Sequence, residues 1–228
     1  MDGILLVDKP SGWTSFDVVA KVRGILKKSG VPKPKVGHTG TLDPLATGLL
    51  VLMLGSYCKR AQEFSKLDKT YEVTMKLGQT STTGDREGGI SETSSKIIPT
   101  EAQLKVALKQ FVGEIMQTPP AFSAMKVNGQ RAYKLARAGK EVKLEPRKVT
   151  IYNITGVDYD YPVLKFTTKV YSGTYIRSLV EDMGQELGTG AYMQDLRRTK
   201  VGKFSIQEAC RIAGLTETAI KKYAIKLA

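Results

Sequence analysis

Apolar positions along this chain switch between continuous runs, strict alternation and helical spacing, and each switch predicts an element. Gly3 to Val7 is a short apolar run that reads as a strand, followed by the turn-prone Lys9-Pro10-Ser11-Gly12. Ser15 is placed to cap a helix carrying Val18, Val19, Val22, Ile25 and Leu26 at helical spacing. That helix should stop before Ser29-Gly30-Val31-Pro32, which opens a basic loop ending at Lys35. A glycine-rich stretch, Gly37 to Pro44, leads into the strand-sized apolar run Leu49 to Leu54.

Thr70 to Leu77 alternates like a half-buried strand, and Gly78 to Gly89 is a polar loop. Thr100 and Gln103 form a capping-box pattern before a helix with Leu104, Leu108, Phe111, Val112 and Ile115 on one face, and Pro119-Pro120 ends that region. Val149 to Val157 and Val163 to Tyr171 read as two strands, with Leu164, Phe166, Thr168 and Val170 alternating on one face. A helix from about Tyr175 to Leu187 buries Ile176, Leu179, Val180, Met183 and Leu187, and Gly188 suits its C-terminus. Ser205 and Glu208 mark another capping box, opening a final helical region. Strands and helices are interspersed without a regular βαβ rhythm, so the expected class is mixed α+β. With no repeat and no linker, one domain over 1–228 is the simplest organisation.

Composition narrows the partners. Hydrophobic residues make up 41% and charged residues 25%, as in a globular protein. No apolar run approaches the roughly 18 residues a membrane span needs, and Met1-Asp2-Gly3 does not resemble a signal peptide. The expected compartment is the cytoplasm. Thirty-five Lys and Arg against 22 Asp and Glu give a net charge of +13, which points to a polyanionic partner, nucleic acid above all. Between Lys126 and Lys148 there are eight basic and two acidic residues, +6 in 23 positions. The segment reads as a projecting basic lobe with a turn at Asn128-Gly129 and a short helix near Arg131 to Ala138, able to grip a phosphate backbone.

Several chemistries start weak. Cys58 and Cys210 are isolated, and His38 is the one histidine, which argues against a zinc site, a disulfide framework or a Ser-His triad. There is no Walker A loop and no G-x-G-x-x-G, so metal, nucleotide and dinucleotide sites all start weak. The most constrained stretch is Gly37 to Leu50, G-H-T-G-T-L-D-P-L-A-T-G-L-L. Its glycines and proline permit tight turns, and Pro44 pushes the backbone of Asp43 toward an extended conformation. A carboxylate there can be a nucleophile or base, or simply a turn residue, and local physics leaves both open.

This stretch resembles the catalytic loop of the TruB family of tRNA pseudouridine synthases, which isomerise uridine 55 in the T arm. Leu5 to Ser15 resembles the family's Lys-Pro motif, Lys69-Thr70-Tyr71-Glu72 its tyrosine-bearing strand, and Gly78 to Gly88 the loop that follows. Gln117 to Gly129 resembles the start of its RNA-gripping thumb, and Ser172 to Arg177 its arginine motif. The resemblance implies a mostly antiparallel central sheet flanked by helices, with a thumb-like insertion at about 119–148.

It also implies roles. Asp43 is the nucleophile attacking a flipped uridine at C1′ or C6, Tyr71 packs on the base and helps remove the C5 proton, and Arg177 partners Asp43. Tyr175 and Leu196 line the uridine pocket, His38 holds the RNA after flipping, and Asp85 orients Arg177. Lys9, Lys126, Arg131, Lys134 and Arg137 are expected along the RNA backbone. The implied partner is the tRNA T arm, bound by a monomer without a membrane.

Many family members continue into a C-terminal PUA domain, and none is expected here. Guide-RNA-dependent relatives lack most of the thumb, so the long basic segment favours action without a guide RNA. A tRNA-folding chaperone with dispensable catalysis is the rival from another class.

Overall fold

The computed structural model describes residues 1–127 and 129–226; Asn128, and with it half of the expected Asn128-Gly129 turn, lies outside the described residues, as do residues 227 and 228. In chain order the elements are β1 (Gly3–Lys9), α1 (Ser15–Lys28), β2 (Val36–His38), β3 (Thr47–Leu54), α2 (Ala61–Ser65), β4 (Lys69–Leu77), β5 (Gln79–Ser81) and β6 (Ile90–Glu92). There follow α3 (Glu101–Gln110), β7 (Gly113–Gln117), β8 (Lys126–Val127), β9 (Gln130–Arg131), α4 (Ala132–Arg137), β10 (Arg147–Asp160) and β11 (Val163–Val170). The chain closes with α5 (Ile176–Glu186), β12 (Ala191–Val201), β13 (Phe204–Ser205), β14 (Cys210–Arg211) and α6 (Glu217–Tyr223). The fold is mixed α+β, as expected. It divides into two compact units, Met1–Tyr71 with Leu196–Ala228, and Glu72–Asp195, the boundaries falling inside β4 and β12.

In the first unit the strand order is β14-β1-β3-β12, with β2 and β13 pairing to β3 and β12. β1 and β3 run antiparallel from Gly3 opposite Leu54 to Lys9 opposite Gly48. Both strands are buried on both faces, which is why they read as continuous apolar runs. Leu5, Val7, Leu50, Leu52 and Leu54 pack toward Val18, Val22 and Leu26 of α1, whereas Ile4, Leu6, Leu49, Val51 and Met53 face Phe64, Val201 and Phe204. β3 also meets β12 in parallel, Gly48 opposite Arg198. Gly48 has φ +101°, and a Cβ there would lie 2.3 Å from the Arg198 carbonyl oxygen, so only glycine admits this approach.

In the second unit β10 lies between β11 and β7, both antiparallel to it. Leu164, Phe166, Thr168 and Val170 are all buried, as their alternation predicts. α5 buries Ile176, Leu179, Val180 and Met183, and Gly188 follows it at φ +68°. Among the described residues no helix is long and apolar enough to cross a membrane.

Three boundaries differ from the sequence pattern. Thr14, not Ser15, caps α1 in a full capping box with Asp17, because Ser15 turns inward to serve another loop. α3 begins at its Thr100–Gln103 box but stops at Gln110, so Phe111 is its C-cap and Ile115 belongs to β7. Apolar spacing alone does not reveal such a change from helix to strand. The Ser205–Glu208 box is present but opens only a 3₁₀ turn, Ile206–Glu208, and the last helix is α6, capped by Thr216.

Candidate active site

Asp43 sits half-buried in the connection between β2 and β3, and its carbonyl accepts the Ala46 amide at 3.1 Å. The backbone on either side is held by buried side chains. Ser15 Oγ donates to the Leu42 carbonyl at 3.1 Å and accepts the Leu42 amide at 2.8 Å. Arg198, 2% exposed, donates to the carbonyls of Leu49 at 2.8 Å, Gly40 at 3.0 Å and Thr41 at 3.4 Å. Lys9 is fully buried, and its Nζ donates to the carbonyls of Trp13, Pro10 and Pro44 at 2.6, 2.9 and 3.2 Å. The Gly12 amide also donates to the Pro44 carbonyl, and Ser11 Oγ to that of Leu45. The loop is thus pinned at Gly40, Thr41, Leu42, Pro44 and Leu45, with Asp43 between the anchors. Fixing the main chain on both sides of a carboxylate is what a positioned nucleophile requires.

This placement corrects the expectation for Lys9. Its ammonium is inside the protein, spent on carbonyls, and does not reach a phosphate backbone. A basic residue beside a turn looks like a surface cation in sequence, but here three carbonyls converge on it.

Lys69 adds a third buried cation, its Nζ donating to the carbonyls of Leu67 and Ser65 at 2.6 and 2.7 Å. Burial, reinforced by Arg198 and opposed by Asp68, pulls its pKa down to about 8. A Cβ on Gly40 would lie 3.5 Å from the Arg198 guanidinium and 3.8 Å from Lys69 Cε, so this part of the loop rests directly on both cations. His38, in β2, has its pKa lowered by burial and secondarily by Arg198, which favours a neutral ring. Its Nδ1 is buried with no hydrogen-bond partner among the described residues. Tyr71 and Leu196 are both 8% exposed, in β4 and β12.

In the second unit Arg177 is 5% exposed in the first turn of α5. Its Nε lies 3.7 Å from Asp85 Oδ2, and its other nitrogens donate to the carbonyls of Phe122 at 2.9 Å and Thr83 at 3.0 Å. Asp85 is itself 4% exposed, and its Oδ1 accepts from Thr83 Oγ1 at 2.6 Å and from the Glu87 amide at 3.0 Å. Asp85 and Arg177 thus stand together in this unit, and the carboxylate offsets the unfavourable end of the α5 dipole. Glu181 stands close by, its pKa raised by burial against the opposing pull of Arg177. Tyr175 occupies the N-cap position of the same helix without a side-chain capping bond; its amide donates to Gln117 Oε1 at 2.8 Å, and Gln117 Nε2 donates back to its carbonyl at 3.1 Å. Arg147 lies over the Tyr175 ring, 5.1 Å from its centroid.

The basic lobe runs from β8 through α4. Lys126, Arg131, Lys134 and Arg137 are all exposed, and none is ion-paired among the described residues. Ala132, fully buried, anchors the lobe by donating its amide to the Met125 carbonyl at 2.7 Å. Among the described residues no three His, Cys, Asp or Glu side chains gather so as to hold a metal ion. Sequence reasoning missed Arg198, Ser15, Lys69 and Gln117. The Leu-Arg-Arg run at 196–198 was the available signal for Arg198, but nothing in it distinguishes a buried arginine from an exposed one.

The sequence matches the model of the TruB family pseudouridylate synthase N-terminal domain over residues 25–176, and that of the tRNA pseudouridylate synthase B C-terminal domain over residues 177–226. The tRNA pseudouridine synthase B of Aquifex aeolicus is 44% identical over 211 residues, covering 92% of this chain and 71% of that protein. The protein of the same name from Chloroherpeton thalassium is 43% identical over 220 residues, covering 95% and 90%. Among solved structures, a chain of a Cbf5–Nop10–Gar1 complex matches with a TM-score of 0.72 at 29% identity, covering 97% of this chain and 57% of that one. A chain of an H/ACA RNP bound to a substrate RNA containing 2′-deoxyuridine matches with a TM-score of 0.69 at 28% identity, covering 98% and 56%. This chain therefore spans little more than half the length of those structural neighbours, but over two thirds of the two bacterial relatives. On both family models and on relatives this similar, the chain belongs to the TruB family of pseudouridylate synthases.

Proposed function

We propose that this chain converts uridine to pseudouridine at position 55 in the T arm of tRNA, as a monomeric cytoplasmic enzyme that needs no guide RNA. The observation that carries the reading is the loop around Asp43, pinned on both sides by buried donors from Lys9, Ser15 and Arg198. A turn aspartate of no chemical consequence does not call for two buried cations to fix its neighbours.

Asp43 attacks C1′ of the sugar or C6 of the flipped base, the bond from N1 to C1′ breaks, the base turns and rejoins C1′ through C5, and the bond to Asp43 breaks to return the free carboxylate. The C5 proton leaves, N1 gains one, and the product is an isomer, so no energy source is consumed. Tyr71 packs on the base and assists removal of the C5 proton. Arg177, held by Asp85, supplies the positive charge that keeps the nucleophile ionised. Tyr175 and Leu196 line the pocket, and His38 steadies the RNA after flipping. Unstacking the base costs a few kcal/mol, offset by contacts to the lobe. One catalytic domain with a thumb-like insertion at about 119–148 serves this chemistry, and a single cooperative unfolding transition is its expected signature.

The test is tritium release from an unmodified T-arm stem-loop labelled at C5 of the target uridine. Wild type should release the label. Asp43→Asn should lose turnover by roughly a thousandfold or more while still binding, because the shape remains and the nucleophilic charge does not. Wild-type-like release by Asp43→Asn would refute the nucleophile, and no release by wild type would refute the activity.

A further inference from the structure

The densest basic stretch of the chain is not in the lobe. From Lys21 to Lys35 there are six basic residues and no acidic one in 15 positions, against +6 in 23 for the lobe. α1 and the loop after it gather Arg23, Lys27, Lys33 and Lys35 around one open groove of about 610 Å³, whose floor includes Gly37 and Cys58. None of the four cations is ion-paired among the described residues. Arg23 is fixed by donating to the Val36 carbonyl, yet its Nε is buried without a partner. Lys27 lies in the last turn of α1, where a cation suits the helix dipole; Lys33 and Lys35 are in the loop and serve no such purpose.

We infer that this groove is a second seat for the phosphodiester backbone of the RNA substrate. The inference rests on the proposed function and extends it by a binding surface outside the lobe and the Asp43 loop. Four cations without an ion pair, around a surface whose lining holds no carboxylate, favour a polyanion over any neutral ligand. The position suits the substrate. Gly37 lies on the groove, and six residues of chain lead from it to Asp43, which bounds their separation at about 21 Å. A folded RNA carries phosphates along its backbone over longer distances than that, so an RNA whose target base reaches Asp43 has phosphates within range of the groove.

The experiment measures binding of an unmodified full-length tRNA transcript across salt concentrations for three variants. K33Q/K35Q alters only the loop, K27E/K33E/K35E reverses the groove, and K96E/K105E/K109E makes the same change of net charge as K27E/K33E/K35E at exposed positions elsewhere. For every phosphate that the protein no longer neutralises, the plot of log affinity against log salt should become shallower by about 0.9. The expected result is a slope shallower by about 2 for K33Q/K35Q and nearly 3 for K27E/K33E/K35E, with less change for the charge-matched control. For K33Q/K35Q this means that the fall in affinity between 50 and 200 mM salt shrinks about tenfold.

Groove variants indistinguishable from the control would overturn the inference, leaving the patch as general surface charge. Wild type that binds tRNA but releases no tritium would instead remove the proposed function, while the slope comparison would still decide whether the groove holds RNA.

Discussion

Lys9 and Arg198 in the first unit, and Arg131, Lys134 and Arg137 in the second, carry the same formal charge in opposite surroundings. The first two are at most 2% exposed and donate to main-chain carbonyls of the loops around Asp43. The other three are exposed and free of ion pairs among the described residues, Arg131 donating to the Ala124 carbonyl and Arg137 lying over the Tyr133 ring. A buried cation is tolerated only where polar partners replace its water, and a fork of carbonyls does that while fixing the backbone that supplies them. An exposed cation has given up no water and can exchange its counterions for phosphates. Burial thus divides cations that shape the site from those available to hold its substrate.

The sharpest test of that division is Arg198. Arg198→Met should cost about 3 to 5 kcal/mol of stability, because buried carbonyls lose their donors. Arg198→Lys keeps the charge, but one ammonium cannot span carbonyls at Gly40, Thr41 and Leu49. Turnover should fall roughly 10- to 100-fold, with stem-loop affinity within twofold, read by single-turnover kinetics and equilibrium binding. Full turnover in Arg198→Lys would mean that the loop does not depend on the fork.

Lys9→Met comes next, with an expected loss of about 2 to 3 kcal/mol in urea denaturation and no change in the salt dependence of RNA binding. A slope shallower by about 1 would return Lys9 to the RNA interface. Reversing Arg131, Lys134 and Arg137 to glutamate should do the converse. Affinity should weaken and the salt slope flatten by about 2 to 3, while the urea midpoint stays near wild type. An unchanged slope would take the lobe out of the interface.

The smallest effect is a pH dependence. Lys69 has a pKa of about 8 in the folded protein against an ordinary 10.5. Between those values the unfolded chain binds more protons than the folded one, so this residue makes stability rise with pH from about 8 to 10.5. Below pH 8 the folded state carries the full cost of a buried charge. Stability curves of wild type and Lys69→Met should therefore diverge across that window, and parallel curves would show that Lys69 is not desolvated.

Much of the fold is legible in the chain. β1 and β3 announce themselves as unbroken apolar runs because both faces are covered, and β4 and β11 as alternations because only one is. The end of α3 is not legible, since Val112 and Ile115 continue its apolar spacing into the next strand. At the site, the motif around Asp43 and the pairing of Asp85 with Arg177 follow from family resemblance. The buried cations do not. Lys9 reads as a surface residue because sequence reports its charge and its turn, but not the carbonyls that meet it, among them that of Pro44, 35 residues away.

The hydrogen bonds of Arg198 also bear on when the protein becomes competent. Its guanidinium reaches carbonyls 149, 157 and 158 residues earlier in the chain. During synthesis the Asp43 loop leaves the ribosome long before the side chain that holds it, and closing so long a loop depends on the intervening strands being folded. Asp43 is therefore made early in synthesis and set in place late. A nascent chain stalled before Arg198 would bear the aspartate on a loop lacking that anchor, and so could not yet act on RNA with full efficiency.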